Sequence, residues 1–268
     1  MASCVFDPPF FTLKNKIMAK QKGIFKVEGT LDEVTFYKSK DGYLVREKGG
    51  VSADRIASDP AFERTRENQK EFGRAGKASK LLRTAIRPLL QSTRDSRMVS
   101  RLHKEMMRVV KADSTSTRGQ RNVLDGELEL LQGFEFNEAG KLGQTFFVQF
   151  TTAIDRVAGT LTINLPAFVP AQLIAAPPEA THYQMVAAGG EIDFEDNTHS
   201  VQLYTSGVLP LSTVAGAADT IDFTTTANST HPLFLLLGIA FFQEVNGSHY
   251  TLKNGAYNAL ALVKVSGM

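Results

Sequence analysis

The stretch that most constrains the fold is Leu233 to Phe242, LFLLLGIAFF, ten residues without a polar side chain. It is about half the roughly 20 apolar residues a membrane-spanning helix needs. It ends at Gln243-Glu244, and Asn246-Gly247 follows as a turn. A second run, Ala259 to Val265, follows Asn254-Gly255 and is apolar but for Lys264. Short apolar runs separated by Asn-Gly read as strands joined by hairpins. A strand this apolar needs cover on both faces, or the central place in a sandwich. It is therefore expected at the centre of a β domain.

The chain before it, from Gly126, reads the same way. Strands are expected at 127–136, 145–152, 160–164, 182–187, 191–194, 200–206 and 220–225, with a further one at 250–253. Their short spacing and frequent turn residues predict an antiparallel β-sandwich over 122–268, not βαβ units.

The first half has a different grammar. Residues 1–19 read as a flexible or extended arm, and Met18-Ala19-Lys20 resembles a natural start. In 20–50, Phe25, Val27, Val34, Phe36 and Leu44 alternate with polar residues, and Lys40-Asp41-Gly42 supplies a turn. This is a small β-meander, too thin to be stable without a partner surface. Region 51–121 is helical and basic. Asp59-Pro60 gives an N-cap and a first-turn proline, and Pro88 should bend or end the helix. Phe62, Phe72, Gly76, Ser79, Leu82, Ile86 and Leu89 are expected on its inner face. A second helix is expected over 94–111, with Met98, Leu102, Met106 and Val109 inward. The fold class is α+β: meander, two basic helices, then sandwich.

Charge is divided along the chain. Residues 1–121 hold 26 Lys and Arg against 14 Asp and Glu, a net +12; residues 122–268 hold 4 against 14, a net −10. Such asymmetry points to nucleic acid or to self-association. Arg64, Arg66, Lys70, Arg74, Lys77, Arg83 and Arg87 are the residues expected to carry either contact. Gly73 and Gly76 lie three apart on the same helix, so they share a face where another backbone could approach closely. Gly76 is expected to touch the second helix or another subunit.

Tests for chemistry return little. GRAGKAS (Gly73–Ser79) lacks the first glycine and the hydroxyl of a phosphate loop, having Glu71 and Ala78 there. The five histidines show no ligand spacing, and one cysteine, Cys4, allows neither a disulfide framework nor a cysteine-rich zinc site. Glu191, Asp193 and Glu195 alternate with Ile192 and Phe194, the pattern of an acidic, solvated strand face. No nucleophile elbow or triad stands out. The expectation is no enzyme, no metal and no cofactor. No secretory signal or membrane span is apparent, which places the chain in the cytoplasm, with release by lysis or in an assembled particle open to it.

The stretches VEGTLDEVTFYKSKDGYLVREKGG, DPAFERTRENQKEFGRAGKASKLLR and GIAFFQEVNGSHYTLKNGAYNALALV together resemble a group of uncharacterised proteins of Bacteroidota and their phage-like elements. The resemblance covers most of the chain after Met18 and implies no activity. The resulting expectation is a self-assembling structural protein, a homo-oligomer such as a subunit of a phage-like particle, tube or filament. A nucleic-acid-binding protein is the second reading. A carbohydrate- or ligand-binding sandwich is the third, disfavoured by the absence of Trp.

Overall fold

The computed structural model describes residues 19–39, 41–47, 50–252 and 257–267. The expected N-terminal arm, the Met18 start, Lys40 of the first turn and Asn254-Gly255 lie outside the described residues. The chain forms two compact units, one ending at Glu63 and one running from Arg64 onward.

The first unit is a four-stranded antiparallel sheet of β1 (Ala19–Lys20), β2 (Gly29–Leu31), β3 (Val34–Ser39) and β4 (Gly42–Glu47), in the order β1-β4-β3-β2. Leu44 is its one buried hydrophobic residue among those described, while Ile24, Phe25, Val27 and Leu31 are exposed. A short helix, α1 (Ala53–Ser58), follows, with the Ser52 hydroxyl accepting from the Arg55 amide. Asp59 caps a single 3-10 turn, Pro60–Phe62, by accepting from the Ala61 amide at 2.9 Å. The Asp-Pro start signal is thus real, one turn ahead of the long helix.

The second unit begins with α2 (Glu63–Ala85), α3 (Arg87–Thr93) and α4 (Met98–Ala112). Pro88 sits in the first turn of α3, so it starts a new helix after the break at Ile86. Short helices α5 (Leu142–Thr145) and α6 (Pro170–Leu173) punctuate the strands. These are β5 (Thr151–Asp155), β6 (Thr160–Leu165), β7 (His182–Asp193), β8 (Thr198–Thr205), β9 (Leu209–Pro210), β10 (Asp219–Thr224), β11 (Leu233–Val245), β12 (Ser248–Thr251) and β13 (Ala259–Ser266).

Strand β11 is the axis of the large sheet. It pairs with β7 over ten residues, from Leu233↔Glu191 to Phe242↔His182, and with β13 on its other side. Strand β8 continues the sheet beyond β7, and β12 and β9 extend one end. Alternation sorts β11 between two apolar clusters. Phe234 and Leu236 join Val186, Ala188, Leu260 and Leu262 against the helices, with Leu82, Ile86, Met98, Leu102 and Met106 opposite. Leu233, Leu235, Leu237, Ile239 and Phe241 face Leu161, Ile163, Ile221 and Phe223 of a three-stranded sheet, β10-β6-β5. The order is helices, large sheet, small sheet. Full burial of each such side chain is worth ~1.5–3 kcal/mol, which is why this strand carries no polar residue for ten positions.

The β region therefore has a helical third layer, and one cluster joins α2, α3 and α4 to β7, β11 and β13 across position 121. Three strand expectations change. Residues 128–131 form a 3-10 turn, and only the following segment runs along β13, through Gly133 N to Leu262 O (2.7 Å) and Phe136 N to Leu260 O (2.9 Å). That segment covers an edge that would otherwise be open. Residues 142–145 are helical, so the strand expected at 145 starts at Thr151. Segments 182–187 and 191–194 are one strand, because Gly189-Gly190 is a close approach and not a break. A Cβ at Gly189 would lie 2.5 Å from the Phe223 ring.

Where β8 meets β10 the two sheets close on each other. The Gln202 amide donates to Thr224 Oγ1 (3.0 Å) and accepts from the Thr224 amide (3.1 Å). Arg156 fastens the chain end, donating to the carbonyls of Ser229 (2.7 Å), His231 (2.8 Å) and Ser266 (3.1 Å) and to that of Gly267. No helix among the described residues is long and apolar enough to cross a membrane.

Candidate functional site

The inward face of α2 is set by Glu71, Ala75, Ala78, Leu82 and Ala85, all buried. Glu71 occupies an apolar-type position because its carboxylate accepts from the Gly119 amide at 2.8 Å. Arg74 completes that loop clamp, donating to the carbonyls of Gly119 (2.8 Å) and Arg121 (3.0 Å) and to Gln120 Oε1 (3.1 Å). Arg74 is thus engaged in holding residues 119–121. Phe72, expected inward, lies one step of about 100° round the helix from Glu71 and is 59% exposed. Its ring stacks on His103 of α4, with centroids 4.1 Å apart. Phe62 lies half-buried in the first unit, with the Arg55 guanidinium 5.8 Å from its ring.

Of the other cations expected to act, Arg64 is exposed and pairs with Glu67 at 2.9 Å. Arg66 is half-buried; Lys70 and Lys77 are exposed. Arg83 and Arg87 converge with two further residues, Lys80 and Arg94, on a concavity of about 440 Å³ between α2, α3 and the start of α4. Thr84 and Gln91 complete its polar wall, Leu90 and Met98 its apolar lining, and no carboxylate is among these residues. None of the four cations pairs with a carboxylate among the described residues. Lys80, Arg83 and Arg87 fall at i, i+3 and i+7, the spacing of one helix face. That spacing was available in the sequence; Arg94 joins only because the chain turns back after Thr93.

A second groove, about 770 Å³, runs along α4. Phe72, Val99, His103 and Met107 line it, and Lys104, Arg108 and Lys111 rim it. Burial pushes the His103 imidazole below its ordinary pKa, and its Nε2 is buried without a hydrogen-bond partner. A Cβ at Gly76 would meet this ring at 3.5 Å, ordinary contact, whereas one at Gly73 would meet nothing within 4 Å. Gly76 therefore faces the second helix without the tightness that would require glycine. The glycines under real pressure are others: a Cβ at Gly126 would lie 2.3 Å from the Val109 carbonyl, and one at Gly238 2.4 Å from that of Ala259.

The acidic cluster is less uniform than its alternation suggests. Glu191 and Asp193 sit on β7, half-buried, with Glu191 accepting from the Thr226 hydroxyl at 2.8 Å. Glu195 lies in the turn beyond the strand, its amide donating to Asp193 Oδ1 at 2.8 Å. The loop after α4 is organised by Asp113, which is buried and accepts from the amides of Thr115 (2.9 Å), Ser116 (2.9 Å) and Asn122 (3.0 Å). Burial alone would raise its pKa, but these donors outweigh it and hold the carboxyl well below the usual range.

The outer face of the small sheet is the counterpart of the basic layer. Thr151, Ala153 and Asp155 of β5, Thr160, Thr162 and Asn164 of β6, and Thr220, Asp222 and Thr224 of β10 point away from the core. Thr162 donates to Asp222 at 2.7 Å and Thr220 to Asn164 at 3.2 Å. The face carries two carboxylates and no Lys or Arg. Comparison with known protein families, characterised proteins and solved structures finds no match to this chain.

Proposed function

We propose that the protein is a non-enzymatic, self-assembling structural subunit whose copies associate through faces of opposite charge. The observation that carries this reading is the layering of charge within the second unit. Residues 64–138, which build the helical layer, hold 16 Lys and Arg against 10 Asp and Glu, a net +6, and residues 139–268 hold 4 against 9, a net −5. The helical layer lies on one side of the large sheet and the Asp155–Asp222 face on the other. Two different faces that attract each other make a head-to-tail contact, which closes into a ring or runs on as a filament. The first unit supports the same reading: a sheet with one buried residue among those described gains stability when a second surface covers it.

Reversing charge on either face tests it. Arg83→Glu with Arg87→Glu, and separately Asp155→Lys with Asp222→Lys, should each dissociate the assembly in sedimentation, and mixing the two variants should restore assembly, with the two variants alternating. Assembly that survives both reversals contradicts the reading.

A second reading rests on the concavity of Lys80, Arg83, Arg87 and Arg94, whose cations have no carboxylate partner among the described residues. Such a cluster suits the phosphates of a nucleic acid, with binding that weakens steeply as salt rises. It predicts that the Arg83/Arg87 reversal abolishes binding to duplex or single-stranded DNA while the Asp155/Asp222 reversal leaves it intact. Self-assembly predicts that both reversals matter.

A further inference from the structure

We propose that His182, Glu244 and His249 form a binding site for a divalent transition-metal ion of the zinc class. The three residues are far apart in sequence, and the ladder brings them together. Register pairs His182 with Phe242 and Glu244 with His249, so the side chains at 182, 242, 244 and 249 share one face of the sheet. The hairpin that presents His249 is tightly specified: Asn246 and Gly247 have φ of 52° and 76°, the two positive values a two-residue turn of this kind needs.

One ligand atom from each residue lies within 4.8 Å of the other two. His182 Nε2 is 3.7 Å from Glu244 Oε2, too long for a hydrogen bond. Two ligands ~2.0–2.1 Å from a tetrahedral zinc stand about 3.3 Å apart, so this pair is already near the span an ion would bridge. The His249 ring stands 4.5 Å from that of His182, centroid to centroid, in an edge-to-face arrangement. It is exposed on the hairpin, so rotation of its side chain closes the remaining gap.

The inner imidazole is held from behind. His182 Nδ1 is 2.9 Å from Thr181 Oγ1, and the same oxygen accepts from the Glu244 amide at 2.8 Å. A hydroxyl oxygen has two lone pairs, so it can accept both the Glu244 amide and an Nδ1 proton. That arrangement directs the Nε2 lone pair toward Glu244 and the ion, the outer support that metal-binding histidines ordinarily have. Two imidazoles and one carboxylate suit zinc, nickel or copper, not calcium or magnesium, which prefer all-oxygen sites. Three protein ligands leave a fourth position for water or for a group from another molecule.

The test is titration of the full chain with Zn²⁺ alone, in a Cys4→Ser background that removes the single thiol. Expected is one ion per chain, with affinity lost at least ~10-fold in His249→Ala and in His182→Ala and reduced in Glu244→Gln. The variants His199→Ala and His231→Ala should leave it unchanged. Co²⁺ in place of zinc should give the visible absorption of a four-coordinate site, and acidification should release the ion, because protons compete for the imidazoles. His249 is exposed, so its variant keeps the fold and decides the matter even if His182→Ala does not. Absence of binding, or binding that persists in the His182/His249 double variant, overturns the proposal. Either result is independent of whether the protein self-assembles.

Discussion

Strands β3 and β11 are both interior strands of antiparallel sheets, but β3 mixes apolar and polar residues, VTFYKS, where β11 opens with ten apolar ones. Ten successive residues of β11 are buried, whereas no residue of β3 is fully buried. What covers each strand matches its composition. Helices lie on one face of β11's sheet and a second sheet on the other, while the sheet containing β3 buries Leu44 alone among its described residues. Backbone pairing makes a sheet, but burial of its faces makes it stable. One part of the molecule buries both faces of its sheet, and the described residues of the other leave theirs largely exposed.

The largest effect that would sharpen this contrast is expected from the covered sheet. Phe241→Ala should cost about 3–5 kcal/mol in denaturant unfolding, as large core truncations do. A loss below ~1 kcal/mol would mean that the packing around β11 is looser than described. Overpacking comes next. Gly189→Val places atoms against the Phe223 ring and should cost upward of ~1–3 kcal/mol.

Acid sensitivity follows from Asp113. Its folded pKa is depressed, so its contribution is complete above the unfolded value of about 3.9 and is lost as pH falls below that. Unfolding measured from about pH 5 downward should show a loss in the native chain that is much reduced in Asp113→Asn, which also starts ~2 kcal/mol less stable because amide donors lose a charged acceptor. An identical acid profile in the variant would remove the assignment. The smallest effect has the opposite sign. Gly73→Ala and Gly76→Ala should each raise stability by up to ~1 kcal/mol, since neither meets a contact shorter than 3.5 Å. Destabilisation by Gly76→Ala would show that His103 is held more rigidly than its place in an open groove implies.

What was legible in the sequence is what burial and capping write locally. Leu233–Phe242, the Asp59-Pro60 start and the Met98, Leu102, Met106, Val109 stripe each carry their own period or cap, and each appears where expected. What escaped depends on partners distant in the chain. Glu71 sits inward because Gly119 needs an acceptor, and Phe72 is displaced outward for that reason. The buried Asn258 side chain accepts from the Phe241 amide and donates to the Ser92 and Leu252 carbonyls, partners that no local pattern announces. His182 and His249 meet only through the register of β7, β11 and β12. The concavity of Lys80, Arg83, Arg87 and Arg94 was half visible: its helical spacing could be read, its fourth member could not.

Opposite charge on the helical layer and the strand layers is what would draw copies together. Sedimentation velocity of the native 268-residue chain in a salt series checks this. Exposed charges are screened beyond roughly 8 Å at physiological ionic strength and about 3 Å at 1 M. Large species are expected at low salt, dissociating stepwise toward the 29.3 kDa chain as salt rises. A monomer throughout, or an assembly whose size does not change across the series, would contradict it.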